Sequence, residues 1–158
     1  MQNEVVPVQI RAIIPTTAGA AIFLGNEEKV FAIQVEHAMG AIIGMFIQKT
    51  PKERPLTHDL MNSVFRAFGI TVERVVITEL KHSTYYARLI LQQKNELGRK
   101  IVELDARPSD SIALAVAHGK PIYVTRSLFD EVEDMSKELA ASQNQDEDDD
   151  EEEENPLF

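Results

Sequence analysis

The 158-residue chain has no cysteine and no tryptophan. Without a thiol there is no disulfide, no thiolate zinc site and no cysteine nucleophile, and a reducing compartment fits that composition. Long apolar runs are missing too. A membrane helix needs about 20 apolar residues, and the longest candidate, around Ala38–Ile47, is interrupted by Gly40 and Gly44. The start, Met1-Gln2-Asn3-Glu4, has neither the basic region nor the apolar stretch of a signal peptide. The expectation is a soluble, cytoplasmic protein with no membrane partner. No repeat of fixed period occurs. An excess of either charge in the body is also lacking, although the net charge is −10. Asp146 to Glu154 are nine consecutive acids; without them the 26 acids fall to 17, against 16 lysines and arginines. A body so balanced is not a strongly basic nucleic-acid binder.

What is present is periodic. Val5–Ile14, Ala21–Leu24 and Val30–Val35 are rich in Val and Ile and separated by turn residues, which predicts an N-terminal meander. Glu36 to about Gln48 places Met39, Ile42, Ile43, Phe46 and Ile47 on one side of a helix. Gly40 and Gly44, four apart, suit close packing against a core or a dimer partner. Ile70–Leu80, Thr84–Gln92 and Lys100–Asp105 read as hairpin-linked strands, Pro121–Thr125 as a short strand, and Ser127 to about Ala141 as a terminal helix. Runs of strands and helices that do not strictly alternate argue for an α+β fold. A single domain over 1–141 is expected, with helices packed on a mostly antiparallel, mixed sheet, and a disordered acidic tail over 142–158.

Two stretches stand out. Arg54-Pro55-Leu56-Thr57-His58-Asp59-Leu60 opens a helix in which Leu60, Met61, Val64, Phe65 and Phe68 follow at helical spacing, and Gly69 ends it. Asp105-Ala106-Arg107-Pro108-Ser109-Asp110-Ser111 opens another, ended by Gly119. Both begin with Arg-Pro and then set a hydroxyl and an acid at a helix N-terminus. The expectation is one polar pocket built from two helix ends.

These stretches resemble signature segments of the bifunctional nuclease family, bacterial and plant proteins assigned RNase and DNase activity. The hairpin around Thr84-Tyr85-Tyr86-Ala87 and the exit Gly119-Lys120-Pro121-Ile122-Tyr123-Val124 fit as well, and the resemblance covers roughly Val6 to Val132. It implies an α+β domain, often a homodimer, acting on RNA or DNA. The family usually shows Gly-x-x-Glu-Ala after the third strand. Here the segment is Glu36-His37-Ala38-Met39-Gly40, with Met39 at the acid's place and Glu36 one helical turn away.

The residue chemistry suits phosphodiester cleavage. Arg54 and Arg107 could grip phosphate oxygens, and free N–H groups at the helix starts of Thr57 and Ser109 form an anion site. His58 could serve as general acid or base. Asp59, Asp105 and Asp110 could act in catalysis or hold a hard divalent cation such as Mg²⁺. Each also has a purely structural reading. Thr57 and Ser109 suit caps. The helix dipole favours acids at Asp59 and Asp110. Arg54 and Arg107 could form ion pairs, and His58 could bond to a carboxylate. His37, His82 and His118 are scattered without metal spacing and are expected at surfaces or edges.

The acid run ends in Asn155-Pro156-Leu157-Phe158 and resembles the tail with which bacterial single-stranded DNA-binding proteins recruit partners. It could dock on a protein partner through Asp146 to Phe158, or cover the Arg54/Arg107 pocket of its own chain. Three functions compete: a nuclease of low sequence preference; a non-enzymatic module that binds phosphate or another anion; and a homodimeric interaction protein whose tail is the working part.

Overall fold

A computed structural model describes residues 4–153; Asn155-Pro156-Leu157-Phe158, read above as a partner-anchoring end, lies outside them. Three strands, β1 (Val5–Thr16), β2 (Gly19–Gly25) and β3 (Val30–Val35), form the expected antiparallel meander. Helices α1 (His37–Gln48) and α2 (Thr57–Ala67) follow, then a second meander of β4 (Ile70–Lys81), β5 (Thr84–Asn95) and β6 (Gly98–Ala106). Helix α3 (Pro108–His118) leads into β7 (Ile122–Thr125), α4 (Arg126–Glu131) and α5 (Ser136–Glu153). The seven strands make one sheet in the order β3-β2-β1-β7-β4-β5-β6. β7 joins the two meanders, antiparallel to β1 and parallel to β4. The fold is therefore α+β on a mixed sheet, as the segregation of elements predicts.

Helix α3 is the centre of the helical layer. Ile112, Ala113, Leu114 and Ala115 are all buried, and a helix apolar all round belongs inside a protein. It packs on β4 and β5 below and touches α1 and α2. Each fully buried Ile or Leu there is worth about 1.5–3 kcal/mol, so the start of α3 is held firmly. Gly119 (φ 62°) gives the left-handed exit that an L side chain resists. Helix α1 seats Met39 and Ile43 on the same core. Gly40 permits this, since a Cβ there would stand 2.6 Å from the Cβ of Ala20 on β2. Gly44 meets nothing within 4 Å, so the two glycines do different jobs.

The apolar face expected on α2 splits. Met61 and Phe65 pack toward the core, whereas Leu60, Val64 and Phe68 are 60%, 44% and 66% exposed. Its apolar arc is wider than the surface beneath it. The single terminal helix expected from Ser127 is instead two. The break is fixed by β3: the Met135 N–H donates to the Val30 carbonyl at 2.7 Å, and the Val30 N–H donates to Asp134 Oδ1 at 3.1 Å. Asp134 Oδ1 also takes the Ser136 N–H (3.1 Å), opening α5. Lys29 Nζ donates to the Phe129 (2.7 Å) and Val132 (3.0 Å) carbonyls at the end of α4.

Strand alternation separates two faces. Ile22 and Leu24 of β2 point to the α1–α3 side, while Phe23 packs with Val30 and Leu139. Helix α5 therefore leaves from the face opposite α1–α3. It runs to Glu153, through most of the stretch expected as a disordered tail. Leu139 is its last buried residue among those whose side chains are described.

Candidate functional site

The two helix beginnings do meet. His58, on the first turn of α2, is buried (6% exposed), and its Nε2–H donates to Asp110 Oδ1 at 3.0 Å across to α3. The Nε–H of Arg107 donates to Asp110 Oδ2 at 2.9 Å. Arg107 Nη1 stands 3.7 Å from Glu36 Oε1, just before α1. A chain Glu36–Arg107–Asp110–His58 thus ties three elements together. Burial pushes the Asp110 carboxyl upward, but the hydrogen bonds and charges of Arg107 and His58 outweigh that and hold it below the usual aspartate value. In return Asp110, chiefly through its hydrogen bond, raises the Arg107 guanidinium.

His58, Asp110, Arg107 and Asp105 line one cavity of about 670 Å³, with Thr57, Ser111 and an apolar wall that includes Met39, Met61 and Leu104. A neighbouring pocket of about 390 Å³ shares Arg107 and Met39 and adds Glu36, Ser109 and Tyr85. Met39, where an acid was expected, is buried between the two, and Glu36 is the carboxylate beside Arg107. His58 Nδ1 and Ser111 Oγ are buried without a hydrogen-bond partner among the described residues.

Thr57 and Ser109 do not cap their helices. Leu56 and Arg107 occupy the N-cap positions, and neither makes a side-chain cap bond. Pro108 takes the first helical position in α3, where its fixed φ is pre-organised, and this moves Ser109 one place inward. In α2 Asp59 reaches back instead: its Oδ2 accepts the N–H of the N-cap Leu56 at 2.8 Å and leaves the first-turn N–H groups without a side-chain partner. Both helices therefore bring first-turn N–H groups to the junction without a side-chain cap, and the positive ends of their dipoles converge there.

The expected single pocket gains only one of its two arginines. Arg54 and Asp59 line a separate cleft, where Asp59 Oδ1 pairs with Lys52 at 3.2 Å. His58 and Asp59 are successive helical residues and project about 100° apart, so one faces α3 and the other faces away. Asp59, Asp105 and Asp110 do not gather: among the described residues no three His, Asp or Glu side chains form a group that could hold a metal ion. His37 and His82 are exposed as expected. His118 is less exposed than those two. It is half-buried, and its Nε2–H donates to Asn62 Oδ1 at 2.7 Å; its position in the last turn of an apolar helix was the signal available.

The fold and site define a single α+β domain with a polar cavity at two converging helix starts. The bifunctional nuclease domain matches residues 22–137, and the chain belongs to that family. An uncharacterised protein of Mycobacterium tuberculosis (strain H37Rv) is 32% identical over 121 residues, 74% of this chain and 70% of that protein. A protein named bifunctional nuclease 1 from Oryza sativa subsp. japonica is 36% identical over 76 residues, which is 48% of this chain and 22% of the rice protein.

Proposed function

We propose that this domain is a cytoplasmic nuclease that hydrolyses phosphodiester bonds of RNA or DNA with low sequence preference. The observation that carries the reading is the His58–Asp110–Arg107 chain at two helix starts without side-chain caps. Arg107, 62% exposed along its side chain, binds a non-bridging phosphate oxygen together with free first-turn N–H groups. Asp110 keeps the Nε2–H of His58 in place, so the open nitrogen is Nδ1. As water attacks phosphorus, His58 Nδ1 takes its proton, the bond to the leaving oxygen breaks, and that oxygen is protonated by solvent. Nδ1 is sealed in the resting structure beside Phe46, whose ring lies edge-on to the imidazole at 6.5 Å. The step therefore requires the cavity wall to shift when substrate enters. Asp59, Asp105 and Asp110 do not fit a shared divalent ion: Asp59 is bound to Lys52 and the Leu56 N–H, and both oxygens of Asp110 are taken.

The reading includes a homodimer. The exposed α2 stripe of Leu60, Val64 and Phe68, with Leu104 on the sheet-edge strand β6, is the apolar face that would suit a second copy. Asp146 to Phe158 would recruit a basic partner. The purified 158-residue chain should cleave labelled single-stranded RNA or DNA, and Arg107→Ala and His58→Ala should each lower the rate at least about a hundredfold. Wild-type protein that leaves both substrates intact, with and without Mg²⁺, refutes the hydrolase. The sealed Nδ1 favours a second reading, a phosphate-binding module without turnover. Calorimetric binding of nucleotides that Arg107→Ala abolishes, with no cleavage, would select it.

A further inference from the structure

The cleft that receives Arg54 carries a second cluster of functional groups. Lys49, Lys52, Arg54, Arg66 and His118 line about 780 Å³ of open space. Asp59 is the one acidic residue in its wall and is already engaged by Lys52 and the Leu56 N–H. Among the described residues, no carboxylate lies within 4 Å of Lys49, Arg54 or Arg66. Cations gather here at modest cost because Lys49 ends α1 and Arg66 is in the last turn of α2, where helix dipoles favour positive charge; His118, in the last turn of α3, adds a polar ring. The dipoles explain how the charges coexist; they supply no counter-ion of full charge. Phe46 shares the wall, with Lys52 Nζ 4.3 Å from its ring centroid.

We propose that this cleft is a second anion site that holds the backbone of a single-stranded nucleic acid, outside the His58–Asp110 cavity. The unpaired Lys49, Arg54 and Arg66 share this cleft with the Phe46 ring, and proteins bind single strands without reading sequence by such sets: charges follow the phosphates and ring or guanidinium planes stack on bases. The two sites are neighbours. Leu56 to Asp59 separates them, with His58 on one side and Asp59 on the other, and Phe46 lies against both His58 and Lys52. A strand bound here would run toward the cavity. An acidic peptide offers the charges but no base to stack. The chain's own acidic stretch leaves on α5 from the opposite face of the sheet, which disfavours it as occupant within one copy. The choice of a nucleic-acid strand rests on the hydrolase reading above; the cleft's charge does not.

The test is fluorescence anisotropy with the full chain and a labelled 20-nucleotide single-stranded DNA of mixed sequence, across a salt series. Single strands lose about 0.7 in log–log slope per phosphate neutralised. The cleft's four lysines and arginines, one contact each, predict a slope near −3 for the wild type, and Arg54→Ala/Arg66→Ala should reduce its magnitude by about 1.4 while weakening binding roughly tenfold at about 0.1 M salt. Arg107→Ala should change the slope by no more than one contact. An unchanged slope in the double variant overturns the proposal. So does a poly-glutamate peptide of matched charge that competes as well as unlabelled DNA. If the slope falls as expected but the wild type cleaves nothing, the hydrolase reading fails and the cleft stands. If cleavage is present and the double variant's slope is unchanged, the cleft alone fails.

Discussion

Asp110 separates structure from chemistry most sharply, because it accepts two hydrogen bonds of unequal consequence. Its bond from Arg107 is largely solvent-exposed, and an ion pair of that kind adds about 0–1 kcal/mol. Its bond from His58 reaches a buried ring. Asp110→Ala leaves that ring N–H unsatisfied, at a cost of about 1–3 kcal/mol. At roughly 2–4 °C per kcal/mol for a chain this size, the melting temperature should fall by about 2–12 °C. Asp110→Asn keeps an oxygen that accepts from His58 and should cost under about 1 kcal/mol. If the carboxylate orients and charges the imidazole for catalysis, the amide variant should nevertheless lose about 10²–10⁴ in kcat/KM. Calorimetry on both variants, with strand cleavage by Asp110→Asn, decides the matter. A well-folded Asp110→Asn protein that cleaves within twofold of wild type refutes the catalytic role, and an alanine variant that melts with wild type refutes the structural one. The pH dependence has a definite sign. The Asp110 carboxyl is held below its unfolded value, so its stabilisation is complete above the ordinary aspartate range and is lost as pH falls through the lower, folded value.

The remaining expectations concern other elements. Gly40→Ala should destabilise by about 1–3 kcal/mol, since its methyl would meet Ala20 at 2.6 Å, whereas Gly44→Ala, in open space, should stabilise by about 0.5–1 kcal/mol; urea midpoints of the two variants should move in opposite directions. Asp134→Ala removes an acceptor for the Val30 and Ser136 N–H groups and should loosen the start of α5, seen as faster amide exchange in α5 and at Val30. His118 titrates below its ordinary value, first because it is buried and then because Lys120 and Arg66 lie near. The unfolded chain therefore binds this proton first, and stability contributed by the neutral ring is lost as pH falls below about 6.5. His118→Gln should flatten the urea midpoint between pH 7 and pH 5, and an unaltered profile would count against this account.

Most strands and helix cores were legible because burial imposes period. From Phe31 to Val35 β3 alternates as the solvent boundary requires, while α3 shows itself by a continuous apolar run between its Pro108 start and Gly119 stop. What was not legible depended on partners distant in sequence. Leu128, Phe129, Val132, Met135 and Leu139 keep a helical spacing, yet the helix breaks because Val30, more than a hundred residues earlier, binds Asp134 and Met135. The five apolar residues of α2 give a face but not its occupant, and three of them remain exposed. The cleft of Lys49, Lys52, Arg66 and His118 draws on three helix ends, and no single sequence window contains it.

The two Arg-Pro stretches show why letters alone did not locate the site. Aligned by those letters, Arg54 matches Arg107. Aligned by helix position, Arg107 is an N-cap, whereas Arg54 lies two residues before the N-cap Leu56. The helical frame instead equates His58 with Ser109 at the second position and Asp59 with Asp110 at the third. An acid at the third position can reach back to its own N-cap N–H, and Asp59 does so at 2.8 Å. Asp110 turns to the Arg107 side chain and to the ring of His58, which α2 delivers from the equivalent of Ser109's place. One stretch therefore uses its acid to close its own helix, and the other uses the same acid to join two helices. That difference puts the polar junction at α3 and frees Arg54 for the cleft on the far side of α2.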